Sequence, residues 1–247
     1  MDMSFYVGAL GMKASQDKLN IVSNNLANVN NNGFKPKEQN FQELINYNLK
    51  DGRDEVTDRQ AGAGVRNVST KTNFAVMGVT TTNQATDYAL ENEGDFFQIL
   101  NPGTGEITYT KDGSFHNGQD TDGQFYLATA NGKWVLDAEG NKIPGYGEDG
   151  AGLDGNAQVK PGAVHVTYPS RLLNIGDNEY QINPDDAGNE AAIVEEPQMI
   201  QGAVESSGTD VAEEMTNVIE AQRALTYAMR VVQTDDELMG TVNTLRA

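Results

Sequence analysis

The side chains best suited to acid–base or metal chemistry are scarce in this chain of 247 residues. Histidine occurs at His116 and His165 only, with no His-Glu-x-x-His pattern near either. They lie 49 residues apart with no accompanying His or Cys, so a zinc site is not expected. His165 sits between Val164 and Val166 in an alternating stretch; with both valines turned to a core, the imidazole faces solvent. There is no Cys, hence no thiol nucleophile, disulfide framework or Cys-based metal site. No Gly-x-Ser-x-Gly elbow and no Gly-x-x-x-x-Gly-Lys-Ser/Thr phosphate loop occurs. The run Asn117-Gly118-Gln119-Asp120-Thr121-Asp122-Gly123 resembles half of a calcium loop, but it lacks the acidic first residue and has Thr129 where a bidentate Glu belongs. Acidic clusters at Asp185-Asp186, Glu195-Glu196 and Asp235-Asp236-Glu237 read as solvated faces. A glycosidase needs two carboxylates about 5–10 Å apart in a cleft, which sequence alone neither places nor excludes. Trp134 is the one Trp available to stack on a sugar, and the sequon Asn67-Val68-Ser69 is a common chance match. The expectation is no catalytic residue, no metal and no cofactor.

The elements around these residues point to architecture instead. With 36 acidic against 17 basic residues the formal charge is −19, which repels phosphates and argues against nucleic acid as a partner. No run of eighteen apolar residues exists to span a membrane. The opening residues Met1-Asp2-Met3-Ser4-Phe5 lack the basic start of a cleaved signal peptide, so export would need a route that leaves the N-terminus intact. Residues 1–30 contain no Pro and two Gly, 31–205 hold all seven Pro, and 209–247 again have no Pro. This marks two helical ends around a turn-rich middle.

In the first end, Phe5, Met12, Leu19 and Leu26 recur every seven residues, and Ser15, Val22 and Val29 run beside them. In the last, Val211, Val218, Leu225, Val232 and Met239 do the same, widened by Ala221, Ala228 and Val242. Sevenfold spacing suits either a coiled coil between the ends or two amphipathic helices lying on a globular core. Ser206, Ser207 and Thr209 offer N-cap hydroxyls to the second helix, followed by Asp210, Glu213 and Glu214. The middle alternates at Ile107 and Tyr109 and at Val164, Val166 and Tyr168, with an apolar run over 96–100. Turn dipeptides at Asp112-Gly113, Asn117-Gly118, Asp122-Gly123 and Asn131-Gly132 predict tight hairpins in an antiparallel sandwich or barrel-like domain. Residues 140–162 read as a long surface excursion. The fold class is therefore α+β, with N- and C-terminal helices pairing as a coiled coil around an inserted, mainly antiparallel β domain. Its parts are a helix over 1–30, a connecting arm over 31–70, a β-rich region over 71–205 and a helix over 206–247.

Three motifs carry a resemblance. Residues 23–35, Ser-Asn-Asn-Leu-Ala-Asn-Val-Asn-Asn-Asn-Gly-Phe-Lys, resemble the N-terminal signature of bacterial flagellar rod and hook proteins through Asn24, Asn25, Leu26, Ala27, Asn28, Gly33 and Phe34. Tyr109-Thr110-Lys111-Asp112-Gly113-Ser114-Phe115 is similar to that family's hairpin motif. Residues 201–207, with Glu213-Glu214-Met215 and 220–224, are similar to its C-terminal signature. Asn31 and Leu225 depart from the usual pattern, where the family has Ser or Thr and an aromatic.

The resemblance implies a subunit of the flagellar axial structure, in which paired terminal helices form an inner tube and the β domain faces outward. Partners would be copies of itself, other rod and hook proteins and the flagellar type III export apparatus, with no small-molecule substrate. The site would be the flagellar basal body. The short middle favours a rod protein over the longer hook proteins, and the Gly62-Ala63-Gly64-Val65 stretch favours a distal over a proximal rod type. The rivals are a hook or hook-junction protein and, from another class, a secreted β-domain carbohydrate-active enzyme or binder. On this reading Lys35, Lys37, Arg53, Arg59 and Arg66 of the arm pair with acidic groups on neighbours. Asn20, Asn24 and Asn28 form an amide stripe, and Gly33 supplies the left-handed stop to the first helix.

Overall fold

The computed structural model describes residues 3–44, 47–49, 59–62, 64–145, 160–186 and 188–246. Arg53, Ala63 and residues 146–159 of the expected excursion lie outside them, as does the side chain of Arg59. The described elements make two compact units. One unites residues 1–27, 37–71 and 210–247, and the other residues 28–36 and 72–209.

The first unit is mainly helical. Helix α1, Met3–Ala27, is followed by strands β1, Lys37–Glu43, β2, Tyr47–Leu49, β3, Arg59–Ala61, and β4, Val65–Thr72. β1 pairs with β4, and β2 with β3. The closing helix of the unit, α2, spans Val211–Arg246. At 1.5 Å per residue its 36 residues make a rod about 54 Å long. The sequence places hydroxyls at its cap, but the carboxylate of Asp210 takes that place. Its Oδ1 accepts hydrogen bonds from the amides of Ala212, at 2.8 Å, and Glu213, at 3.3 Å. A carboxylate there satisfies free amides and faces the positive end of the helix dipole, and Glu213 and Glu214 add to the effect.

In the second unit the strands are β5, Val79–Thr81, β6, Tyr88–Leu90, β7, Asp95–Leu100, β8, Ile107–Thr110, β9, His116–Gln119, β10, Phe125–Ala128, and β11, Trp134–Val135. They continue as β12, Ala163–Val166, β13, Leu173–Gly176, β14, Glu179–Gln181, β15, Ala191–Val194, β16, Met199–Gln201, and β17, Ala203–Glu205. Among the described residues, nine of these form one sheet, ordered β13-β14-β8-β7-β11-β10-β9, with β12 pairing β7 and β15. Its described pairings are antiparallel, as the turn spacing predicts.

Strand β7 is central and buried on both faces, which is why its sequence runs Phe-Phe-Gln-Ile without alternation. Phe97 and Ile99 join Tyr88, Leu127, Val135 and Ile143 in one core cluster. Phe96 joins Phe74, Val164, Val166 and Tyr180 in a second. The rings of Phe74, Phe96 and Tyr180 meet edge to face at 5.1–5.9 Å, a favoured arrangement of their quadrupoles.

The four turn dipeptides divide. Gly123 and Gly132 have φ of 78° and 74° in the turns joining β9 to β10 and β10 to β11, where the sequence places hairpins. Gly118 instead lies inside β9, where a Cβ would press on the Trp134 ring at 2.9 Å. Gly113 is required by close approach, because a Cβ there would overlap the Tyr88 carbonyl oxygen. Asp120, the carboxylate of the half calcium loop, accepts from Lys142 Nζ at 2.6 Å and from the Thr121 amide at 2.7 Å. His165 is solvent-facing, as its valine neighbours predict, with Nδ1 2.8 Å from buried Asp95.

Candidate assembly site

Residues 28–35, 109–115 and 201–207, each part or all of one sequence motif, come together in the β-rich unit. The amide of Gly33 donates to the Glu205 carbonyl at 2.7 Å, and the Gly208 amide donates to the Phe34 carbonyl at 2.9 Å. Ser207 Oγ donates to the Asn28 carbonyl at 3.0 Å. Lys35 Nζ, fully buried, donates to Glu205 Oε1 at 2.6 Å and to the Ala75 carbonyl at 2.8 Å. The Met77 amide gives Glu205 Oε1 a second donor at 2.9 Å.

Lys111, from the central motif, donates to the Asn92 carbonyl at 2.6 Å and lies 5.2 Å from the centre of the Phe96 ring. Burial, reinforced by the nearby Lys35 charge, lowers the Lys111 pKa to about 8. Burial also raises the Tyr180 hydroxyl pKa, and the Glu205 charge adds to the shift. A buried charge is tolerated when paired and hydrogen-bonded, and removing one partner costs about 3–5 kcal/mol. The cluster therefore holds chain segments together. Its lysines and carboxylate are engaged by backbone and by one another.

This geometry corrects two expectations. Lys35 is paired inside its own chain, so it is not offered to a neighbour; Arg66 is exposed. Gly33 does not stop the helix. α1 ends at Ala27, and the following turn closes with the Asn31 amide donating to the Asn28 carbonyl at 3.1 Å. Gly33 is needed because its φ is +63° and a Cβ would lie 2.5 Å from the Lys111 carbonyl oxygen. Phe34 is buried beside it.

The helical unit carries the other residues that the sequence singles out. α1 and α2 run antiparallel. Ser4 Oγ donates to Asp235 Oδ1 at 2.8 Å, and Lys18 Nζ lies 3.5 Å from Glu220 Oε2. Asn25 Nδ2 donates to Glu214 Oε1 at 2.7 Å. Two glycines of α1 face α2 closely: a Cβ on Gly8 would lie 2.8 Å from Val232 Cγ2, and one on Gly11 3.7 Å from Ala228 Cβ. On α2 the less exposed positions include Glu214, Val218, Ala221, Leu225, Ala228, Val232 and Asp235, in alternating steps of four and three. Val218, Leu225 and Val232 lie on this line, whereas Val211 and Met239 are exposed. On α1, Phe5 is exposed and Met12, Leu19 and Leu26 are half-buried.

Of the signature amides, Asn25 is buried. It donates to the Lys37 carbonyl and accepts from the Lys37 amide, both at 2.9 Å, which ties α1 to β1. Asn24 and Ala27 are exposed and Asn28 is half-buried. The sequence names Asn25 as part of a motif but does not distinguish it from its neighbours. Burial at 1 % exposure does.

Large apolar side chains stand in solvent along α2: Met215, Ile219, Tyr227, Met229, Val231, Leu238, Val242 and Leu245 are all more than 40 % exposed. Four threonines on the same helix, Thr216, Thr226, Thr234 and Thr241, donate to the carbonyl four residues back. Those hydroxyl protons therefore ask nothing of a partner. Among the described residues no group of three or more His, Asp or Glu is placed to hold a metal. The arrangement suits packing against other protein surfaces.

Comparison with known proteins agrees. Residues 5–35 match the family described as flagella basal body rod protein, and residues 200–245 match the flagellar basal body rod FlgEFG protein C-terminal family. The chain is 31 % identical to the flagellar basal-body rod protein FlgG of Buchnera aphidicola subsp. Baizongia pistaciae, over 96 % of each chain. It is 30 % identical to FlgG of Borreliella burgdorferi, over 100 % of this chain and 99 % of that one. It is also 30 % identical to the rod protein FlgF of Caulobacter vibrioides, over 96 % and 95 %. The chain belongs to the flagellar basal-body rod protein family. That family defines a structural role in the flagellar basal body, among other flagellar components.

Proposed function

We propose that the chain is a non-catalytic rod subunit whose terminal helices pair as a short coiled coil and assemble into a hollow axial shaft that transmits torque. Its partners are copies of itself and other rod and hook proteins. It reaches the basal body through the flagellar type III export apparatus. The observation that carries this reading is the exposed apolar surface of α2, which soluble monomers rarely leave uncovered unless it is an interaction site. Val218, Leu225 and Val232 hold the pair together, Phe5, Met12, Leu19 and Leu26 support its other sides, and exposed positions such as Val211 and Met239 meet neighbours. We read the chain as the distal rod type.

A hook-side place is the second reading. It is favoured by 28 % identity, over 94 % of each chain, to the flagellar hook-basal body complex protein FlhP of Bacillus subtilis.

Val218→Asp tests the assembly reading. An ionised carboxylate on the helix-pairing line is expected to abolish incorporation into basal bodies while the β-rich unit keeps its fold, monitored by Trp134 fluorescence. Normal incorporation of this variant would refute the helix-pair model.

A further inference from the structure

We propose that the last turns of α2 in one copy dock into a cleft in the helical unit of a second copy, joining subunits head to tail. The proposal rests on the assembly reading above and names the contact that performs it. The cleft is about 420 Å³ and lies between α1, α2 and the strands β1 and β4. Its floor and walls include Gly11, Ala14, Ala221 and Ala224 on the helices and Phe41 and Val65 on the strands. Gly11 has no side chain, and the methyls of Ala14, Ala221 and Ala224 are too small to fill the corner that two helices and a strand pair leave between them. The cleft opens to solvent, where Phe41 and Ala224 on its walls are exposed, so an apolar side chain can enter it from outside.

The occupant is argued from the register of the helix pair. Ser4, in the first turn of α1, meets Asp235, so α2 continues about three turns beyond that contact. Those turns carry Leu238, Val242 and Leu245, at steps of four and three, which form one ridge. The three side chains are 59 %, 56 % and 84 % exposed. Thr241 and Thr244 in the same turns donate their hydroxyl protons to carbonyls of their own helix, at 2.9 and 2.8 Å. The ridge is thus apolar in chemistry as well as composition, and the lining of the cleft is mainly so: its polar members are Ser15, whose hydroxyl donates to the Gly11 carbonyl, and the Lys18–Glu220 ion pair. The cleft is continuous with the intramolecular helix pairing, because Gly11 and Ala228 border both.

Ridge and cleft are different surfaces of one chain. Val242 and Ala224 are separated by about 27 Å along α2. A contact between two different patches does not close on itself as a two-fold dimer does; it repeats, and builds an open array. One ridge in one cleft buries far less than the roughly 1,200–2,000 Å² of a stable pairwise interface, so the contact holds only when others accompany it. That keeps free chains apart and favours addition to a growing end.

The natural absence of cysteine makes a direct test possible. Leu245→Cys and Ala224→Cys are prepared as single variants of the full chain and as a double variant. Both positions are exposed, so neither change disturbs the fold appreciably. The two cysteines of one chain lie about 30 Å apart along one helix, too far for an internal disulfide. Under conditions where wild-type chains sediment as polymers, oxidation of the mixed single variants is expected to give a mixed disulfide dimer. The double variant should give a ladder, and each single variant alone should stay largely uncross-linked. A double variant that sediments like wild type but yields no ladder overturns the docking and spares the assembly reading. Dimers from Leu245→Cys alone, as abundant as in the mixture, overturn it in favour of tail-to-tail contact. Wild-type chains that never sediment overturn both.

Discussion

A lysine with a pKa near 8 inside a β domain makes the stability of that domain depend on pH in a direction that can be worked out. Lys111 is held at about 8 chiefly by burial, against an ordinary 10.5. Between these values the unfolded chain binds more protons than the native one, so stability rises with pH across that interval. From pH 7.5 to 9.5 the β-rich unit is expected to gain about 1–2 kcal/mol in urea unfolding followed by Trp134 fluorescence. Above about pH 10 the raised Tyr109 and Tyr180 hydroxyls oppose the trend, so the window stops short of them. In Lys111→Met the gain should vanish; an unchanged slope would assign it elsewhere. Little of this was legible in the sequence. Lys35 and Glu205 are 170 positions apart, and nothing local to Lys35 distinguishes a buried ammonium from a surface one. Only the fold brings together motifs that the sequence shows as three separate strings.

At the scale of elements, α2 was readable as a helix from its Pro-free, periodic sequence; of its sevenfold positions Val218, Leu225 and Val232 are half-buried, and Val211 and Met239 are exposed. α1 was harder. Of its sevenfold positions Met12, Leu19 and Leu26 are half-buried and Phe5 is exposed, and its approach to α2 also involves Gly8 and Gly11. Small residues let two backbones approach closely, and a hydrophobic pattern is blind to them. Gly8→Leu is therefore expected to force α2 away from α1 at Val232 and to destabilise the helical unit by about 1–3 kcal/mol, as overpacking does. Loss of helical circular dichroism at lower temperature, with Trp134 fluorescence unchanged, is the readout. Melting identical to wild type would show that the helices do not rely on this approach. The cap of α2 illustrates the same limit, since hydroxyls and a carboxylate compete for one position and only geometry selects Asp210.

At the scale of the whole chain, two facts set the behaviour. On the proposed assembly, the formal charge of −19 would keep free copies apart and the exposed apolar surface of α2 would supply their contact. The alternation of strands and turns gave the antiparallel β domain directly. The long-range path did not follow from it, because β12 pairs with the central strand β7, and β15 with β12, in a way that no local pattern encodes. The central claim is that this chain is a subunit of the rod shaft. The most direct test images native basal bodies in which this subunit alone carries a label on the β-rich unit. The account predicts label on the outside of the rod, repeated along its length, and absent from the hook. Label confined to the hook or hook junction, or basal bodies complete without the subunit, would contradict it.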